Sequence, residues 1–183
     1  MKRTVTTILV AVLAMTLLGC SETDSVAHND ADVAFATDMI PHHAQAVEMS
    51  DILLSKDGID PQVLDLAEQI KAAQAPEIET MSGWLEEWGE AVPPTSGMDD
   101  MEEMPTMDGM MSPQDMAELE SATGDAATRL YLEQMTEHHV GAIDMAERET
   151  DDGSYPEVVA LARSIIETQQ AEIETMADLL ATL

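Results

Sequence analysis

The chain has 183 residues, with 7 Lys and Arg against 37 Asp and Glu, a formal net charge of −30 and one cysteine. So acidic a surface repels phosphate and excludes nucleic-acid binding, while it favours solubility and attracts cations. The single cysteine excludes an internal disulfide framework, thiolate zinc clusters and a Cys-x-x-Cys redox pair.

Residues 1–19 come first and have the pattern of a secretory signal. Lys2 and Arg3 precede an apolar stretch, Val5 to Leu18, that is too short to span a bilayer. The ending Leu17-Leu18-Gly19-Cys20 resembles the lipobox of bacterial lipoproteins. That resemblance implies cleavage before Cys20 and lipidation of its sulfur. The protein is then expected at the outer face of the cytoplasmic membrane or in the periplasm, held by its acyl chains. Residues 20–29 are polar and predict a flexible tether; His28 within it carries no assignment.

Residues 30–183 are expected to form one duplicated domain: a first hairpin over 30–92, a Met-rich linker over 93–112 and a second hairpin over 113–183. In the first helix Phe35, Met39, His42, His43, Ala46, Met49 and Leu53 recur at helical spacing. Asp57-Gly58 ends it, and Asp60-Pro61 opens a second helix whose expected face runs through Val63, Leu66, Ile70, Ala73, Glu77, Met81, Trp84 and Trp88. The two tryptophans are expected to cap the helices. The linker carries Met98, Met101, Met104, Met107, Met110 and Met111 among prolines and acids, which predicts an extended segment outside the core. Ser112-Pro113 then starts a short helix to about Ser121, a long helix follows Gly124, and Pro156 opens the last.

The halves repeat. Phe35, Met39, His42, His43, Ala46 and Met49 match Tyr131, Met135, His138, His139, Ala142 and Met145 at a constant offset of 96. After each turn the offset becomes 95, and Glu77-Ile78-Glu79-Thr80-Met81 returns unchanged as Glu172-Ile173-Glu174-Thr175-Met176. Two similar hairpins with a long crossover predict an all-α four-helix bundle about a pseudo-twofold axis.

Met39 lies one helical turn from both His42 and His43, so one helix offers thioether and imidazole at chelating spacing. The two histidines differ in direction by about 100°, so one is expected to point into the bundle and the other to lie at the seam. In an antiparallel hairpin, facing residue numbers sum to about 119, which brings Met81 towards Met39 and Gln74 to Glu77 towards the histidines. Met135 approaches Met176 in the same way. Met49 lies about 15 Å along the helix from Met39, so Met49 and Met145 are expected to be core residues or ligands of a second site. Imidazole accepts copper, zinc, iron or nickel, whereas thioether sulfur selects Cu(I). The linker methionines suit a soft ion too. A helical histidine is commonly a satisfied polar group and a helical methionine commonly core, but four of the five histidines fall in two matching frames.

Asp38-Met39-Ile40-Pro41-His42-His43, Met135-Thr136-Glu137-His138-His139 and the closing Gln-x-x-Glu-Ile-x-x-Met resemble the bacterial family catalogued as domain of unknown function family 305. The resemblance covers about residues 30 to 183. It implies a ferritin-like helical fold and, by its copper-binding members, Cu(I) held by Met39, His42, His43, Met135, His138 and His139, with Met81 and Met176 added. The expected role is non-catalytic sequestration or transfer of Cu(I) in copper homeostasis or resistance. A ferritin-like di-metal oxidoreductase and a metal-free helical interaction module are the competing expectations. The first needs Glu three residues before each ligand histidine, where this chain has Met39 and Met135.

Overall fold

A computed structural model describes residues 27–95 and 107–183, which form five helices and no strand. They are α1 (Asp30–Leu54), α2 (Pro61–Trp88), α3 (Pro113–Ser121), α4 (Gly124–Asp152) and α5 (Pro156–Leu180). The signal segment, Cys20, Met98, Met101 and Met104 lie outside the described residues. No described helix is long and apolar enough to cross a membrane.

Local chemistry sets the helix ends. Asn29 and Asp32 form a capping box at the start of α1, and Ser112 and Asp115 form another at α3. Asp60 caps α2 with Pro61 behind it, and Pro156 occupies the first turn of α5. Gly89, at φ +79°, takes the left-handed position that closes α2. Pro41 and Pro76 lie inside α1 and α2; their repeat positions hold Glu137 and Ala171, so only the first hairpin forgoes those two helical hydrogen bonds.

Helix α1 packs on α2, α4 packs on α5, and α1 and α4 join the two hairpins, with α3 laid over both. Contacts of α1 with α4 run antiparallel: Met39 shares a core cluster with Met145, and Met49 shares the other with Met135. The apolar core is therefore in two parts. One gathers Met49, Leu53, Ile70, Tyr131, Leu132, Met135 and Met176; the other gathers Phe35, Met39, Ile40, Met81, Leu85 and Met145. At the two ends each hairpin's turn meets the other's helix start. Gly58 lies against Gly124, and Asp32 takes hydrogen bonds from the Ser154 and Tyr155 amides in the α4–α5 turn.

Two expectations need correction. Ala73 is exposed, and the buried face of α2 runs instead through Ala67, Gln74 and Leu85. Met111 is buried in the core rather than held outside it. His28, to which the sequence assigns nothing, stacks its ring on Trp88, centroids 4.4 Å apart, at the edge of a group formed by Trp84, Trp88 and Tyr155. The two tryptophans do sit together at one end of the helices.

Candidate metal centre

Between the two apolar parts lies a polar layer. His42, His43, His138 and His139 are all fully buried, and Gln74 and Gln169 are nearly so. Both histidines of each pair are thus inside, not one inside and one at the seam. The 100° between them is used fully: the first ring of each pair reaches across to the opposite hairpin and the second reaches to its own partner helix. His42 and His138 meet across the α1–α4 contact with ring centroids 3.8 Å apart. His43 Nε2 bonds Glu77 Oε2 at 2.7 Å, and His139 Nε2 bonds Glu172 Oε2 at 2.7 Å.

These carboxylates engage Nε2 of each ring. A neutral His43 or His139 donates from Nε2 to its glutamate, so Nδ1 keeps its lone pair. Both Nδ1 atoms are buried and unpartnered. His42 has one contact, from Nε2 to the Asp108 carbonyl at 3.3 Å, and its Nδ1 is also unpartnered. His138 is the extreme case. Its nitrogens approach the His42 backbone without completing a well-formed hydrogen bond, and no other partner reaches them. The Gln74 side-chain amide is wholly unpartnered and the Gln169 carbonyl oxygen is too.

Burial, reinforced by the neighbouring His43, pushes the pKa of His42 down to about 3. Burial also holds His138 well below the usual histidine range, with His42 and His139 adding to it. Both rings are therefore neutral at physiological pH, which is the ligating form. A buried ring nitrogen without a partner costs about 1–3 kcal/mol; the layer collects several.

The methionines flank this layer. Met39 and Met81 from the first hairpin share a cluster with Met145 from the second, and Met135 and Met176 from the second share the other with Met49 from the first. All six are buried. Thr136 Oγ1 donates to Met176 Sδ at 3.7 Å. Met49 is thus remote from Met39, as its spacing implies, and comes instead to the thioethers of the opposite repeat. Met107 and Met110 are half-buried beside the helices. Among the described residues no three His, Cys, Asp or Glu side chains converge on one point, so imidazole and carboxylate alone do not form a metal-holding group.

The sequence reading missed Gln45 and Gly141, which fasten residues 107–111 over this layer, and the buried carboxyl pair Asp32–Glu149 at the end of the helices. Gln45 and Gly141 are repeat mates at the same offset of 96, so the mismatch between them was the available signal.

Solved structures with the same fold include two family members and a metal-bound protein. A protein from Streptomyces coelicolor, described as secreted, is 38% identical, with 83% of this chain and 91% of that chain covered and a TM-score of 0.73. A fragment from Deinococcus radiodurans is 32% identical, with 85% and 98% covered and a TM-score of 0.73. CopM in its Cu(II)-bound form is 30% identical, with 82% and 96% covered and a TM-score of 0.70; CopM is also known with Cu(I) and with Ag bound, and in the apo form. No curated protein sequence matches the chain. Residues 32–180 match DUF305, a domain of unknown function, and the chain belongs to that family.

Proposed function

We propose that this chain is an extracytoplasmic, lipid-anchored metal-binding protein built as a four-helix bundle, which holds Cu(I) in the layer between α1 and α4 and sequesters or transfers it in copper homeostasis or resistance. His138 carries this reading. It is fully buried, neutral, without a well-formed hydrogen bond, and ring to ring with His42. A metal bond is the interaction that would satisfy such a nitrogen in a dry core. The donors present fit a soft ion: neutral imidazoles at His42 and His138, two further imidazoles oriented by glutamates, and buried thioethers on either side. Because thioethers carry no proton, an ion binding there displaces none. The likeness to CopM, which binds copper and silver, supports the same choice.

Met39, Met81, Met135, Met176, His42, His43, His138 and His139 are the proposed ligand set, with Met49 and Met145 able to extend it at each end. The linker residues Met98, Met101, Met104, Met107 and Met110 would gather ions before they reach the core, where Met111 is already buried. A di-metal oxidoreductase fits less well. Glu77 and Glu172 each end on one histidine, and no carboxylate-bridged group converges among the described residues.

Anaerobic Cu(I) titration of residues 21–183 against a competing chelator tests this, with Zn(II) and Fe(II) in parallel. Stoichiometric copper that is lost when His42, His43, His138 and His139 become alanine is the expected result. Copper affinity unchanged in that variant would remove the site from the histidine layer. No tight metal in the parent chain would favour the metal-free module. Deleting residues 97–106 tests the outer linker methionines separately.

A further inference from the structure

Residues 107–111 cross the contact between α1 and α4 directly above the histidine layer, and three separate features hold them there. The Gln45 side chain, nearly fully buried, pairs with Met111 in both directions: its Nε2 donates to the Met111 carbonyl at 2.9 Å, and the Met111 amide donates to its Oε1 at 2.7 Å. The Asp108 carbonyl takes the one hydrogen bond that His42 makes. Gly109, at φ +81°, lies against Gly141 so closely that a Cβ on Gly141 would come 2.0 Å from the Asp108 oxygen. An exposed ion pair of Arg148 with Asp108, at 3.9 Å, adds little.

The duplication makes this arrangement informative. Positions 45 and 141 are repeat mates, yet one is a buried clamp and the other a notch. A segment lying over one face of a twofold-related pair can contact the two repeats only unequally, and the two positions have diverged to suit it. The consequence reaches the rings: His42 Nε2 is engaged by the segment, while His138 Nε2 is not.

We infer that residues 107–111 are a removable strap over the histidine layer, with Gln45 as its catch and Gly141 as its seat, and that an ion reaches His42 when the strap lifts. This rests on the metal-binding reading of the layer. The strap competes for the same ring nitrogen that an entering ion would meet first. Its attachment suits reversible opening: three hydrogen bonds, two to Gln45 and one from His42, and one methionine side chain, each of modest net worth. Another approach, a groove between α2 and α5 lined by Gln62, Asp65, Gln69 and Glu172, leads to the glutamate side of His139 instead.

Hydrogen–deuterium exchange at the imidazole C2 positions of the metal-free full chain tests the strap, with exchange of the Met111 amide recorded alongside and Ag(I) uptake followed separately. Gln45→Ala and Gly141→Ala should each speed His42 ring exchange and Ag(I) uptake roughly tenfold. Gly83→Ala, at an exposed glycine with open space around it, should change neither. If Gly141→Ala does not fold, Gln45→Ala carries the test. Wild-type rates at His42 in a variant whose Met111 amide has become labile would overturn the strap and direct entry to the α2–α5 groove. If the parent chain holds no Ag(I), the metal reading falls, and ring exchange in the metal-free protein still decides whether the strap controls access.

Discussion

At the scale of single residues, two groups among the described residues depart from ordinary core chemistry most clearly, and each has its own signature. The histidine layer buries His138 with both ring nitrogens unpartnered and leaves Nδ1 of the other three rings unpartnered. Asp32 and Glu149, in contrast, bury two adjacent carboxyl groups at the end of the helices. Asp32 is well supplied with donors from Asn29, Ser154 and Tyr155, and these hold its pKa low against the effect of burial. Glu149 has no such donors. Burial first, and then the neighbouring Asp32 carboxylate, raise it to about 8 from an ordinary 4.5. The sign of the resulting pH dependence follows. Below pH 4.5 the folded and unfolded chains both hold this proton and the contribution to stability is intact. Between 4.5 and 8 only the fold holds it, so stability falls as pH rises, and the loss is complete above 8. Glu149→Gln removes that loss. Urea midpoints at about pH 5, 7 and 9 should show the variant gaining on the parent as pH rises; parallel curves would mean Glu149 is ionised in the fold. Residues of this kind were not legible in the sequence. Met39, His42 and His43 stood out because their frame recurs, but nothing near Asp32 or Glu149 marks either as buried, and their repeat mates, Thr128 and Leu53, hide the pairing.

The helices themselves were largely legible, because their ends carry explicit chemistry. Asp60-Pro61, Ser112-Pro113 and Pro156 each open a helix where the pattern places it. Antiparallel register inside the hairpins was legible too: His43 meets Glu77, and Met39 shares a cluster with Met81. The error on α2 was a matter of face. Ala73 reads as apolar and Gln74 as polar, yet Gln74 is buried and Ala73 faces solvent, because a polar layer in the core reverses the usual pattern. Two substitutions check the caps. Ser112→Ala, which removes the capping box of an exposed helix start, should cost about 1 kcal/mol in urea unfolding. Asp32→Ala should cost more, about 2–4 kcal/mol, because it also strands the Ser154 and Tyr155 amides that join α1 to the α4–α5 turn. Equal costs for the two would show that the junction is not held by Asp32.

Over the whole molecule, two near-equal hairpins share one interface, and the candidate centre lies on it. Neither hairpin alone supplies both members of the His42–His138 contact, and each apolar cluster takes methionines from both hairpins. Duplication was evident from the constant offset between the halves. How the halves meet was not, since the antiparallel contact of α1 with α4 depends on crossing geometry that no local pattern records. The net charge of −30 acts at this scale as well. Self-repulsion of so many carboxylates opposes compaction, and salt screens it. The melting temperature of the metal-free protein should therefore rise between low and physiological ionic strength; no change would mean the acidic residues are spaced too widely to repel.

The central claim is that sulfur from both repeats joins imidazole in holding a soft ion. X-ray absorption at the copper edge of the Cu(I)-loaded chain tests it most directly, comparing the parent with a variant in which Met39, Met81, Met135 and Met176 are changed to leucine. The account predicts sulfur and nitrogen scatterers together around copper in the parent, with the sulfur contribution reduced in the variant. A shell of nitrogen and oxygen alone in the parent would contradict it.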